Sequence, residues 1–394
     1  MTANTLLLTL NAGSSSVKFA VFCAGGGLSM LSTGKIEGLG SSASLSVSCA
    51  AAAACNTRVN TSLGPIGHVQ AVHAVLAWLN QAHANAQVVA VSHRVVHGGP
   101  DHALPALIDD ALLAMLERLV PLAPLHQPHN LAGIRAARVA FPGATQIACF
   151  DTAFHRSHPF VADTFALPRS YYDEGIRRYG FHGLSYEFIA RRLRAHDQML
   201  AHGRVIVAHL GNGASMCAMR DNRSVASTMG FTALDGLPMG TRCGQLDPGV
   251  VLYLMTEKGM DAAAISDLLY REAGLKGISG LTHDVRVLQD SHSPAAQDAL
   301  AYFAERGRRE IGGLAACLGG LDALVFTGGI GENAAQVRAM MLADMEWMGI
   351  YIDPEANQHN AAIISLPSSR VRVLVFKTDE ERMLAEHAAE LMAL

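Results

Sequence analysis

Residues 6–22 read LLLTLNAGSSSVKFAVF. Leu6 to Leu10 is an apolar run without the polar alternation of a half-exposed strand, so it predicts a buried strand. Asn11-Ala12-Gly13-Ser14-Ser15-Ser16 breaks the run. Val17 to Phe22 resumes it, with Val17, Phe19 and Val21 on one face. The stretch therefore predicts a hairpin with a tip of small residues. Such a tip leaves successive backbone N–H groups open, which together make a concave anion site. Lys18 adds a positive charge beside it. Phosphate binding is the chemistry suggested, although Gly and Ser also make plain surface turns.

A second stretch repeats the pattern. Residues 205–219, VIVAHLGNGASMCAM, form an apolar strand, a Gly/Asn tip and a second apolar strand. Placing Gly13 on Gly213 aligns the two without gaps over about a dozen residues, which predicts two related domains. Two such hairpins facing each other would hold a nucleotide. No GxxxxGK[ST] loop is present, and the first turn leads to a strand, so a Walker-type site is excluded.

Composition narrows the class. The 394 residues predict two or three domains. Hydrophobic residues at 50% and charged residues at 16% allow a large core. A net charge of −4 with no long basic run argues against nucleic acid or an anionic membrane as the main partner. No apolar run approaches ~18 residues, so no transmembrane span is predicted. The opening MTANTLLLTLNAG lacks the basic n-region and cleavage site of a signal peptide. Seven scattered cysteines without a CxxC pair fit a reduced cytoplasmic protein with buried thiols. The 18 histidines show no metal-binding spacing.

Further along, the Gly/Ser/Ala-rich residues 25–55 predict peripheral strands and loops. Residues 65–84 and Leu107 to Val120 have helical apolar spacing. Residues 88–100, VVAVSHRVVHGGP, place Arg94 among apolar neighbours, where a cation needs either a bound anion or an internal salt bridge. The proline-rich stretch 121–128 predicts irregular structure, with His126 either lining a site or structural. Strand 146–150 ends at Asp151, the position where ligands gather in an open α/β sheet, though a turn cap would also suit it. An aromatic-rich loop precedes a helix from about Tyr186 to Leu200. Residues 227–249 are too glycine-rich for a helix, and a loop of that length is usually functional. Residues 274–286 predict another glycine loop and 296–318 a long helix stopped by Gly319. Residues 324–333, LVFTGGIGEN, predict a strand and glycine turn before a helix at Ala334, a unit suited to phosphate or ribose. After a strand at 371–376, Thr378 and Glu381 have capping-box spacing, which leaves Glu380 as the freer carboxylate.

The segments NAGSSSVKF, SHRVVHGG, PLAPLH, CFDTAFH, RRYGFHGLSYEF, HLGNGAS, MGFTALDGLPMGTRCGQLDPG, FTGGIGEN and TDEE occur in the order found in acetate kinases. The chain thus resembles that family over nearly its whole length. The resemblance implies an α/β fold of two duplicated actin-like (ribonuclease H-like) domains with a nucleotide cleft between them. The first domain would span 1–152 and be rejoined by a C-terminal helix at about 379–394; residues 153–378 would bind nucleotide and dimerise. The implied reaction is ATP + acetate ⇌ ADP + acetyl phosphate with Mg²⁺, or Mn²⁺ in its place, in a cytoplasmic homodimer.

The resemblance also assigns roles. Asn11 and Glu380 would serve the metal, with Ser14, Ser16 and Lys18 near the phosphates. Arg94 and Arg242 would hold the carboxylate and the phosphoryl group, and His126 and His182 would hydrogen-bond the latter. Asp151 would orient the attacking carboxylate or act through the metal. His209, Leu210, Gly211, Asn212, Gly213, Thr282, His283, Asp284, Arg286, Gly329, Ile330, Gly331, Glu332 and Asn333 would line the nucleotide. The acetate pocket would comprise Val96, Leu125, Phe181 and Ala233, the last replacing a proline in the family phrase GFTPLxGL. A smaller residue there would widen the pocket, so a propionate or broader short-chain acyl kinase is the alternative. A non-catalytic actin-like protein would be expected to lack at least one of Arg94, Asp151, Arg242 and Glu380, and all are present. A sugar kinase would need a hydroxyl-lined pocket in place of Val96, Leu125 and Phe181.

Overall fold

The computed structural model describes residues 5–25, 27–50 and 59–394. Gly26 and residues 51–55 of the Gly/Ser/Ala-rich stretch lie outside them. The chain divides into two compact units, Met1–Arg156 with Asp379–Leu394, and Ser157–Thr378.

The first unit carries an eight-stranded sheet in the order β5-β4-β3-β2-β1-β6-β8-β7. Its strands are β1 (Thr5–Ala12), β2 (Ser16–Cys23), β3 (Met30–Glu37), β4 (Ala43–Cys49), β5 (Val59–Gly64), β6 (Gln87–Val95), β7 (Ala106–Leu107) and β8 (Thr145–Phe150). β1 to β5 form an antiparallel meander, whereas β6 and β8 run parallel to β1. The peripheral strands expected in the Gly/Ser/Ala-rich stretch are β3 and β4, packed with β2 over helix His68–Ala82, where Phe19 meets Trp78. The C-terminal helix Glu380–Met392 packs on β1 and β6 and buries Met383, Leu384 and Ala388.

The second unit repeats the plan in a five-stranded sheet, order β11-β10-β9-β12-β13. Here β9 (Arg204–Leu210), β10 (Ala214–Arg220) and β11 (Arg223–Ser227) are antiparallel, and β12 (Ala323–Thr327) and β13 (Arg372–Val375) run parallel to β9. In each unit an antiparallel meander, of five strands in the first and three in the second, is followed by two strands parallel to its first strand, which is the duplicated actin-like arrangement. Helix Pro294–Leu318 lies on β9 and β10, and Gly319 ends it in the left-handed region at φ 70°.

Several local expectations need correction. The two hairpins do not align without gaps. The innermost pair is Ala12↔Val17 in the first and Leu210↔Ala214 in the second, so the first runs two residues further before turning. Gly13 and Gly213 both lie at tips, but their outgoing strands are out of step. The proline-rich stretch is not irregular throughout, because helix Gln127–Ala140 takes Pro128 into its first turn, where a missing N–H costs nothing. The helix expected from Leu107 starts at Asp110, capped by Asp109, after Leu107 has paired in β7. The segment 274–286 holds two short helices, Gly274–Ser279 and Val285–Asp290. The glycine turn after β12 is itself helical, Gly328–Asn333. Asp379, not Thr378, caps the C-terminal helix, accepting from the Arg382 N–H. Cys23, Cys149, Cys217, Cys243 and Cys317 carry thiols, with Cys149 and Cys217 buried, but Cys49 is disulfide-bonded and Cys317 is exposed. Among the described residues no helix is long and apolar enough to cross a membrane.

Candidate active site

In the first unit the parallel strands deliver their residues at their carboxyl ends. β6 carries Arg94, and Asp151 directly follows β8. Arg94 donates from Nε to both Asp151 oxygens at 3.0 and 3.1 Å, and from Nη2 to Oδ2 at 2.7 Å. Its Nη1 lies 3.3 Å from Glu380 Oε2. The internal ion pair considered for Arg94 is therefore present, and Glu380 belongs to it. Burial alone would lower the Arg94 pKa, but Asp151 and Glu380 outweigh it and hold the guanidinium above its ordinary value. Burial pushes the Asp151 carboxyl up, and Arg94 opposes that push. Burial and the Glu380 charge likewise raise Glu381, while Lys18 draws it down.

The first hairpin is fixed at its tip. Asn11 pairs with Lys18 across the strands, and the Gly13 N–H donates to Ser16 O at 2.8 Å. Ser14 is exposed, Ser16 half-buried, and Lys18 exposed. Asn130, which was not singled out from the sequence, ties two strand ends together. Its Nδ2 donates to Ala12 O at 2.8 Å, and its Oδ1 accepts from the Val96 N–H at 3.0 Å. Val96 is buried, while Leu125 and His126 are half-buried in the turn before helix Gln127–Ala140.

In the second unit the hairpin tip 211–213 is a meeting point. A Cβ on Gly213 would stand 2.9 Å from Arg242 Nη2 and 3.2 Å from His182 Nε2. A Cβ on Gly211 would stand 4.0 Å from the Gly329 nitrogen. One on Gly240 would meet Asn212 Oδ1 at 2.2 Å and His283 Cβ at 3.2 Å. His182, Asn212, Gly213, Arg242, His283 and Gly329 are thus brought together around one tip. Leu210 and Phe181 are both buried.

His182 takes φ 58° ahead of helix Gly183–His196, and its ring stacks on His209 at 4.3 Å. Each ring is anchored at Nδ1, His182 to Ser215 Oγ and His209 to Ser185 Oγ, both at 2.8 Å. Arg242 Nη1 donates to the Ala233 carbonyl at 2.6 Å, so residue 233 holds the arginine through its backbone. Burial draws the Arg242 pKa down to about 10, with Tyr270 opposing. Among the described residues Arg242 has no carboxylate partner. A desolvated cation without a counter-ion is a ready anion site. The turn that carries it is held by helix Gly274–Ser279, whose Leu275 and Lys276 N–H groups donate to Met239 O and Gly240 O.

Other expected nucleotide residues have structural work of their own. Glu332 accepts from the Gly328 N–H at 2.9 Å and the Thr378 N–H at 3.1 Å. Asn333 donates to Gly329 O within helix Gly328–Asn333. Gly331 is buried, and Ile330 is half-buried. The Gly331 carbonyl accepts from Arg338, a fully buried arginine that nothing in its local sequence singles out. Asp284 caps helix Val285–Asp290 and pairs with Arg286; Thr282 Oγ1 accepts from the Asp284 N–H.

The chain as a whole has counterparts among known proteins. The model of the acetokinase family matches residues 6–386. A relative from Methylocella silvestris named acetate kinase is 57% identical over 394 residues, covering 98% of each chain. The crystal structure of Porphyromonas gingivalis acetate kinase matches at TM-score 0.87 and 35% identity, over 98% of this chain and 100% of that one. A propionate kinase structure from Francisella tularensis matches at TM-score 0.90 and 33% identity, over 97% and 98%. With a family model matched nearly end to end and a relative named acetate kinase at 57% identity over 98% of each chain, the chain belongs to the acetokinase family.

Proposed function

We infer that the chain catalyses reversible phosphoryl transfer between ATP and acetate, giving ADP and acetyl phosphate, by direct in-line displacement. The observation that carries this reading is the 57% identity, over nearly all of both chains, to a relative named acetate kinase. A carboxylate is already a competent nucleophile at neutral pH, so alignment and charge neutralisation do most of the work. The reaction therefore needs no free general base, and Asp151 can spend its carboxylate on Arg94. Asp151 holds the Nε–Nη2 edge of the guanidinium, and Glu380 stands at Nη1, so an anion binding Arg94 would share Nη1 with Glu380 or displace it.

Arg242 and His182 supply N–H groups to the transferring phosphoryl, and His126 is assigned the same task. An arginine in that position can be worth ~10³–10⁵ in rate. The tip 211–213 with His209 and Leu210, the stretch Thr282 to Arg286, and helix Gly328–Asn333 are assigned to the nucleotide. Asn11 and Glu380 offer the hard oxygen donors that Mg²⁺ takes. When bound, the ion would neutralise phosphate charge.

Two finer points belong to the same reading. Helix Pro248–Thr256 buries none of its residues, although Val250, Leu252, Tyr253 and Met255 stand exposed around it. Monomers rarely leave such a patch open, so we assign it to a homodimer contact. The enzyme works in the cytoplasm, where its ATP is. A preference for propionate is the second reading, supported by Ala233 and by the likeness to the Francisella protein. Hydroxamate trapping with ATP, Mg²⁺ and each of acetate, propionate and butyrate is the test. The highest kcat/KM is expected with acetate. Propionate clearly ahead would establish the second reading, and no product with any acid would refute both.

A further inference from the structure

The two stacked histidines are each backed by a chain of hydroxyls. Ser215 Oγ lies between His182 Nδ1, at 2.8 Å, and the Tyr186 hydroxyl, which it also touches. Ser185 Oγ lies between His209 Nδ1 and Thr378 Oγ1, both at 2.8 Å. Ser215 and Tyr186 are completely buried. Ser215 faces His209 across the β9–β10 ladder, so the relay is built into the sheet.

A serine has one hydrogen to give, and the Tyr186–Ser215 contact can run either way. The phenol is the more acidic partner and the better donor. If Tyr186 donates to Ser215, the serine hydrogen is directed at His182 Nδ1, which must then accept it. A ring accepting at Nδ1 is neutral and carries its proton on Nε2. That nitrogen faces the point above Gly213 that Arg242 Nη2 also faces. There an N–H attracts a phosphoryl oxygen, whereas the opposite tautomer would present a lone pair to it.

We propose that Tyr186 and Ser215 are positioning residues that fix His182 as the neutral Nε2–H tautomer, making it a hydrogen-bond donor to the transferring phosphoryl group. The proposal rests on the phosphotransferase reading for its role in catalysis, but not for the tautomer itself. The hydroxyl relay behind His209 has the same form and holds the ring on which His182 stacks.

The test is nitrogen NMR of the full-length protein labelled with ¹⁵N-histidine, near neutral pH, with the His182 signals identified by their loss in His182→Gln. The expected spectrum shows a neutral ring protonated at Nε2. Tyr186→Phe leaves Ser215 free to turn; it should mix the tautomers and lower kcat roughly tenfold, with KM for ATP and acetate within about twofold. Ser215→Ala should do the same or more. An Nδ1–H tautomer or an imidazolium in the unaltered protein would overturn the proposal, and this spectrum decides even if a variant fails to fold. Unchanged tautomer and kcat in Tyr186→Phe would overturn it too. An Nε2–H ring in a protein inactive with every acid would refute the reaction and leave the tautomer assignment standing.

Discussion

Arg94 meets Asp151 side-on, with Nε and Nη2 both directed at the one carboxylate. Asp151 is almost wholly buried, so removing the arginine strands a charge. Arg94→Ala should lose about 3–5 kcal/mol of stability as well as nearly all activity. Arg94→Lys should keep most of the stability but lose the two-pronged geometry, and with it kcat. Urea unfolding alongside steady-state kinetics separates the two effects. A double variant, Arg94→Met with Asp151→Leu, should regain stability without regaining turnover.

Gly213 and Gly274 predict different failures. A Cβ on Gly213 meets only the ends of two side chains, which can give way. Gly213→Ala should therefore fold normally but displace Arg242 and His182, lowering kcat by roughly 10²-fold, the cost of a misplacement near 1 Å. Gly274 sits at φ +63° with backbone 2.1 Å from where its Cβ would go. Gly274→Ala should cost about 2 kcal/mol or more in stability, because nothing nearby can yield. Circular dichroism melts and turnover of the two variants will tell them apart.

The elements legible in the sequence were those with one dominant local signal. Leu6 to Leu10 and Val205 to Leu210 are uninterrupted apolar runs, and both became central strands. Helix Pro294–Leu318 had both its periodicity and its terminal glycine. Where two signals competed, the weaker reading won. Pro128 suggests a break but suits a first turn, and Thr378 had capping spacing but is taken by Ser185. Ser215 could not be singled out, because its importance lies in a contact with Tyr186, 29 residues away along the chain. The same holds for Asn130, whose partners Ala12 and Val96 come together only in the folded sheet.

The Ala233 carbonyl holds Arg242, so size and position at this residue are coupled. Ala233→Pro restores the family phrase while keeping the carbonyl. The ratio of kcat/KM for acetate over propionate should rise, by no more than ~200-fold, since a methylene is worth only about 1–3 kcal/mol. An unchanged ratio would remove residue 233 from the specificity argument.

Leu252 is 62% exposed on the apolar helix Pro248–Thr256. Leu252→Glu would place a charge in any interface built on that helix, and a desolvated unpaired charge costs several kcal/mol. Light scattering should give twice the chain mass for the unaltered protein and a shift toward the single-chain mass for the variant. A monomeric unaltered protein would rule out the dimer.

Acid should weaken the first unit through two buried histidines. Burial draws His93 down to about 4, with Gln146 opposing, and draws His97 to about 3, helped by the Arg156 charge. Unfolded, both titrate near 6.5. Between those values the unfolded chain binds protons that the folded chain refuses, so unfolding gains as pH falls. The stability contributed by the neutral rings is therefore complete above about pH 6.5 and declines below it, levelling off near 4 for His93 and near 3 for His97. Each group should contribute a slope on the order of 1 kcal/mol per pH unit within its window. Urea midpoints measured from neutral pH downward should show this decline. His93→Asn, which cannot take up the proton, should be less stable at neutral pH but lose less on acidification, and an identical slope in the variant would exclude His93 as a source.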